Sequence, residues 1–178
     1  ARRRLVSRQE TYSGEGNPFL PPGDQFRVMT VAFRHGLPVP EPVFAYDAED
    51  RMGAGFVTAF VQGETMPKRL LGPDFAAVRP RLALQLGAFL ARLHAIDPAE
   101  SAFLAGVSDS VDPVAAQYER YRAYAELHPG LELGFRWLER NRPAPPPKAL
   151  VHGDFRNGNF MIGPQGLTAV LDWECSHQ

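Results

Sequence analysis

Apolar positions change their period several times along the chain. Leu5-Val6 between polar neighbours predicts a short strand over residues 3–9. Residues 10–23, ETYSGEGNPFLPPG, mix Gly, Pro and polar side chains and predict a loop. Phe26, Met29 and Phe33 then recur at helical spacing, which predicts a helix capped by Asp24 and running to about His35, with Gly36 ending it. LPVPEP reads as extended. Val43 to Tyr46 and Phe56 to Val61 read as strands joined by the polar turn AEDRMGAG, and Gln62-Gly63-Glu64 breaks the pattern.

Beyond that break the period becomes helical. A short helix is predicted over residues 74–78. Leu82, Leu86, Phe89, Leu90 and Leu93 mark a strongly amphipathic helix over 81–96. Asp112 followed by Pro113 predicts the start of a helix over 113–127, and another covers 131–140. Tyr118, Tyr121, Tyr124 and Trp137 fall at helical spacing and are expected to pack. RPAPPPK is a rigid connector. Leu150-Val151 and Thr168 to Leu171 read as two strand pieces that enclose a loop dense in Gly and Asn. The fold class is therefore α+β: strands and one helix first, helices after, with a boundary that divides 1–62 from 63–178. The first residue is not Met and the pattern stops abruptly at DWECSHQ, so the chain is expected to be a piece of a longer protein.

Composition narrows the classes without choosing among them. A net charge of −1 argues against a nucleic-acid or anionic-membrane partner. No apolar run reaches the length of a spanning helix. A single cysteine, Cys175, permits no internal disulfide and suits a reducing cytoplasm. Neither His35, His94, His128 nor Cys175-x-His177 has partners at metal-ligand spacing. Asp109, Asp112 and Glu126 read as a solvated face that could also attract a cation.

The dense chemistry lies in HGDFRNGNF. His152, Asp154 and Asn159 form H-G-D-x-x-x-x-N, and Asp172 follows thirteen residues after Asn159 at the end of an apolar run. Phosphoryl transfer needs such a set: a carboxylate to take or orient a hydroxyl proton, and an amide oxygen with a second carboxylate to hold magnesium on nucleotide phosphates.

HGDFRNGNF followed by VLDWE resembles the aminoglycoside phosphotransferase and choline kinase-like family, relatives of the protein kinases. GLPVPEPVFAY, FVTAFVQGE and ARLHAID agree with it. FRWLERNRP resembles a bacterial subgroup related to domains fused to acyl-CoA dehydrogenases. The resemblance implies a two-lobed protein-kinase-like fold, partial at both ends, that moves the γ-phosphoryl group of ATP, or GTP, to a hydroxyl of a small molecule with Mg2+. It implies Asp154 as catalytic base, His152 as a structural member of the loop, and Asn159 and Asp172 as metal ligands. Arg156 would steady a carboxylate or meet a phosphate. Ala59, Phe60 and Val61 would offer backbone groups to the adenine. Arg8 stands where the family has a phosphate-gripping Lys, and Gln25 where it has the helix Glu that pairs with that Lys; Asp24 or Glu15 are the other acids near enough in sequence to substitute. Two competing readings are a nucleotide-binding regulator without turnover and an inactive fragment of a larger enzyme.

Overall fold

The computed structural model describes residues 3–10, 17–47 and 49–178, with the side chain of Ser108 excepted. Three antiparallel strands, β1 (Leu5–Gln9), β2 (Pro42–Ala45) and β3 (Gly55–Ala59), form a sheet in the order β1-β3-β2. The central strand β3 pairs with β1 from Leu5↔Ala59 to Gln9↔Gly55. Helix α1 (Pro22–Arg34) covers one face by burying Val28, Met29, Val31 and Ala32, and Phe26 meets Phe56 with ring centroids 6.1 Å apart. Burying each such side chain stabilises the lobe by roughly 1.5–3 kcal/mol.

Two details of α1 depart from the periodicity. It starts at Pro22 rather than after Asp24, because proline at the first helical position has the right φ and no N–H to leave unpaired. Asp24 instead sits in the first turn, paired with Arg27 at 3.0 Å, where the helix dipole favours it. Phe33 is exposed, since the buried stripe runs through Val28 and Ala32. Gly36 ends the helix in the left-handed region, as expected.

After β3 the chain leaves the sheet, and Glu64 forms an isolated bridge with Ile162. A short helix α2 (Pro67–Leu70) and a 3-10 turn (Pro73–Phe75) lead into α3 (Arg79–His94). Next come a 3-10 segment (Pro98–Leu104), α4 (Ser108–Val111), α5 (Pro113–Ala123) and α6 (Pro129–Arg140). Asp112 caps α5 by accepting from the N–H groups of Val114 and Ala115. That helix ends earlier than its pattern suggests, with Ala125 at positive φ. Tyr118, Tyr121 and Phe135 pack together. Tyr124 and Trp137 do not pack: they are 79% and 60% exposed. Asp109 pairs with Arg120, and Asp112 with Arg142, so these acids are internally neutralised.

The last elements are a hairpin of β4 (Phe160–Gly163) and β5 (Gly166–Val170). Gln85 of α3 pins its turn, accepting from Leu167 N–H at 3.0 Å and donating to Gln165 O at 3.1 Å. Two strand pieces were expected to enclose the polar loop. The second is β5, but Leu150-Val151 makes only a bridge to His177, and the partner of β5 is β4, which begins at Phe160 directly behind Asn159. One core, including Leu93, Leu104, Leu150, Phe160, Val170 and Trp173, joins α3 to this hairpin and continues into α1. No helix among the described residues is long and apolar enough to cross a membrane.

Candidate active site

The loop from His152 to Asn159 is fastened at both ends to one backbone unit, Leu171. His152 Nε2–H donates to Leu171 O at 2.9 Å, and Leu171 N–H donates to Asn159 O at 2.8 Å. Residue 172 follows directly, so the two ends of the loop and Asp172 are tied to the same residue, Leu171.

His152 is 1% exposed and packs at a tilt against Trp173, with ring centroids 4.6 Å apart. Burial pushes its pKa below the ordinary value; the Leu171 carbonyl and the charges of Asp154 and Asp172 oppose that without reversing it. The neutral ring therefore carries its proton on Nε2 and accepts Asp154 N–H at Nδ1, 3.3 Å away. This is the structural role that the resemblance implies.

Asp154 is held from two sides. Arg156 Nε lies 3.0 and 3.1 Å from its carboxylate oxygens. Asn159 Nδ2 donates to Asp154 Oδ2 at 2.8 Å and to its carbonyl at 2.9 Å. Committing both amide hydrogens to Asp154 leaves Asn159 Oδ1 as the oxygen available for another partner. Arg156 thus steadies a carboxylate; its side chain is largely exposed, so the pair adds little to stability.

Gly153 explains the middle letter of the motif. Its φ is +82°, and a Cβ placed on it would stand 1.9 Å from Cys175 O. The loop can approach the segment after Asp172 only because that position has no side chain.

Asp172 also has positive φ, +64°, and Arg8 Nη1 donates to its Oδ1 at 2.8 Å. Arg8 Nη2 donates to Glu174 Oε2. The strand β1 cation therefore reaches both acids of the segment that follows β5. Gln25 is buried and donates to Leu20 O rather than to Arg8. Asp24 is engaged with Arg27, and Glu15 lies outside the described residues. Asp172 and Asn159 each provide a hard oxygen donor, and the backbone bond of Leu171 to Asn159 ties their segments together. The described residues hold no group of three His, Cys, Asp or Glu that could bind a metal alone. Such a donor set fits Mg2+ shared with phosphate oxygens, its usual mode, rather than a closed protein cage.

At the end of β3, Ala59 N–H is taken by Glu41 O at 2.9 Å, and just beyond it Phe60 N–H is taken by Arg4 O at 3.1 Å. The guanidinium of Arg4 covers the Phe60 ring at 4.0 Å. Among the described residues, Phe60 O and Val61 N–H take part in no backbone hydrogen bond outside the strand ladders.

Five residues take part without a motif signal of their own. Trp173, Phe155 and Phe89 form the aromatic bed beneath the loop, with Phe89 and Phe155 stacked at 5.5 Å. For Phe155 and Trp173 the signal is an aromatic directly after Asp154 and after Asp172; Phe89 shows only the helical period of α3. Leu171 acts only through its backbone and carries no such signal. Glu174 has no motif role in the sequence, yet it faces Arg8.

This chain belongs to the phosphotransferase enzyme family, which it matches over residues 18–178. Arg8 lies before the matched segment. Among curated proteins it is 32% identical over 161 residues to acyl-CoA dehydrogenase family member 11 of Gallus gallus, covering 85% of this chain and 20% of that protein. It is 28% identical over 161 residues to acyl-CoA dehydrogenase family member 10 of Mus musculus, covering 85% and 15%. The chain thus spans a fifth or less of these relatives, in accord with the subgroup resemblance. Among solved structures, the macrolide 2'-phosphotransferase of Brachybacterium faecium superimposes with a TM-score of 0.63 at 20% identity, over 97% of this chain and 59% of that one. The GDP complex of aminoglycoside 2'-phosphotransferase-IIIa gives 0.60 at 19% identity, over 98% and 67%. The α+β phosphotransferase fold is therefore that of this chain.

Proposed function

We propose that the chain carries the catalytic centre of a kinase that transfers the γ-phosphoryl group of ATP, with GTP as the alternative donor, to a hydroxyl of a small molecule. The observation that supports this reading is the double attachment of Leu171 to His152 and Asn159, which ties both ends of the loop to the residue before Asp172. Asp154 is the base: Arg156 and Asn159 orient its carboxylate, and it would accept the proton of the attacking hydroxyl. Asn159 Oδ1 and Asp172 would hold Mg2+, which when bound supplies charge neutralisation at the phosphates. Arg8 would grip phosphate oxygens in the two-pronged manner of a guanidinium. The segment at Ala59, Phe60 and Val61 would meet the base of the nucleotide, through Phe60 O and Val61 N–H since the other two N–H groups are taken. Residues 1–62 would form the nucleotide-binding lobe and 63–178 the lobe that holds the loop, in a cytoplasmic protein.

The reading is tested by magnesium-dependent turnover of ATP and GTP, alone and with a panel of hydroxyl compounds. Asp154→Ala should abolish turnover while leaving the melting temperature and nucleotide binding near those of the parent. Nucleotide binding without turnover in the parent would instead support the regulator reading. An Asp154→Ala protein as active as its parent would exclude Asp154 as base.

A further inference from the structure

Arg8 has found its acid in an unexpected place. Its guanidinium donates Nη1 to Asp172 and Nη2 to Glu174, both from the segment behind β5. Helix α1 presents Gln25 to the same cavity, of about 150 Å³, which Arg8, Leu20, Gln25 and Glu174 help to line. Gln25 is 4% exposed, and its Oε1 has no hydrogen-bond partner among the described residues. Its Nε2 donates to Leu20 O at 2.7 Å, and Leu20 N–H donates to Glu174 O at 2.7 Å. A continuous path therefore runs from Gln25 through the Leu20 peptide groups to the Glu174 backbone, and from the Glu174 side chain to Arg8.

The chemistry of position 25 suits this path. A carboxylate there could face a guanidinium but could not donate to Leu20 O. An amide can donate, but cannot neutralise Arg8. Glu174 supplies the missing charge, and Asp172 need not supply it alone. Asp172 directly follows the peptide that holds Asn159, whereas Glu174 makes its described side-chain bond to Arg8 alone. Only one of the two acids is thus free of the loop.

Resting on the phosphotransferase reading, we propose that Glu174 is the positioning residue for Arg8, and that Gln25 holds Glu174 in place through Leu20, so that a hydrogen-bond relay replaces a direct ion pair from the helix. Arg8 then keeps one fixed carboxylate whatever else Asp172 engages.

Neutralising Glu174 has two opposite effects on a triphosphate. It removes a like charge from the cleft, which favours binding, and it releases Arg8, which disfavours it. A double-mutant cycle separates them, because only the second effect needs Arg8. ATP with magnesium is titrated calorimetrically into the parent chain, Arg8→Ala, Glu174→Gln and the double variant. Losing a hydrogen-bonded charge should weaken Arg8→Ala by about tenfold or more. Glu174→Gln should weaken binding about fivefold when Arg8 is present, and leave it unchanged or tighter when Arg8 is absent. Gln25→Leu, close in volume but unable to donate, should weaken ATP binding only in the presence of Arg8.

Equal effects of Glu174→Gln with and without Arg8, within about twofold, would overturn the assignment of Glu174. A silent Gln25→Leu would overturn the relay. Should Glu174→Gln fail to fold, Glu174→Asp, which keeps the charge on a shorter arm, enters the same cycle under the same criteria. A parent chain that binds neither ATP nor GTP would sink the phosphotransferase reading and this assignment together. Intact parent binding with additive variants would sink the assignment alone.

Discussion

Replacing Gly153 by alanine tests the central packing argument with a single methyl group. The backbone there has φ +82°, a region that costs an L-residue about 1–2 kcal/mol. The new Cβ would lie 1.9 Å from Cys175 O, 2.6 Å from its carbonyl carbon and 2.8 Å from its Cβ. Two of those atoms are backbone, so no side-chain rotation relieves the overlap. The strand-like bridge of Val151 with His177 has to shift instead. Backbone strain of this kind adds about 1–3 kcal/mol. The sum, about 2–5 kcal/mol, corresponds to a fall in melting temperature of at least about 4 °C for a chain of this size. Gly87 supplies the control. It is an exposed residue inside α3, and a Cβ there meets nothing within 4 Å. Gly87→Ala should raise stability by about 0.5–1 kcal/mol, since alanine is the better helix former. Melting followed by circular dichroism measures both. A Gly153→Ala protein that melts within about 2 °C of its parent would refute the claim that close approach to Cys175 dictates glycine.

Trp173→Ala removes the ring that supports His152 and Phe89, and should cost about 3–5 kcal/mol, read by chemical denaturation; a loss below about 1 kcal/mol would contradict its place in the core. His152 has a pKa below its ordinary 6.5 in the fold, so the folded state binds fewer protons than the unfolded chain. Its contribution is complete above that value and is lost as pH falls below it. Melting temperature should therefore decline with acid more steeply in the parent than in His152→Gln, and parallel curves would refute the assignment. Burial first, then the charges of Glu174, Asp154, Asp172 and Asp109, push the Cys175 thiol up to about 11. The folded thiol stays protonated, its contribution is lost as pH rises from 9.0 towards 11, and thiolate absorbance should appear in that window; a midpoint near the ordinary value would refute the burial argument.

Much of this centre could be read from the sequence, because its chemistry is concentrated in types and spacings that few other tasks require. Asp154, Asn159 and Asp172 announce themselves in this way, and the neutral amide at position 25 announces a departure. The misreadings have physical causes. The strand β4 starts at Phe160 with no turn residue between it and Asn159, so the loop and the strand merge into one irregular stretch. The start of α1 was placed at Asp24 because a side-chain cap is the commoner signal, whereas here the fixed φ of Pro22 performs that task without one. Tyr124 and Trp137 keep helical spacing yet face solvent, since periodicity marks a face and says nothing of what covers it. Glu174 was invisible as a partner of Arg8 because 166 residues separate them and only the fold closes that distance.

The forces that hold this site divide along the line between neutral and charged groups. The attachments that set the loop's position are neutral and sheltered: His152 on Leu171, Leu171 on Asn159, and the ring of Trp173 beneath. The groups proposed to handle phosphate are charged and partly open to water, with Arg8, Asp154, Asp172 and Glu174 all partly exposed. Ion pairs in that setting contribute little to folding, so exchanging their partners is inexpensive. A centre that, under the proposed function, releases Asp172 and Arg8 from each other to receive a highly charged ligand would gain from that arrangement. Its scaffold rests on buried neutral bonds that salt and ligand charge leave alone, and its working charges are held by contacts weak enough to trade.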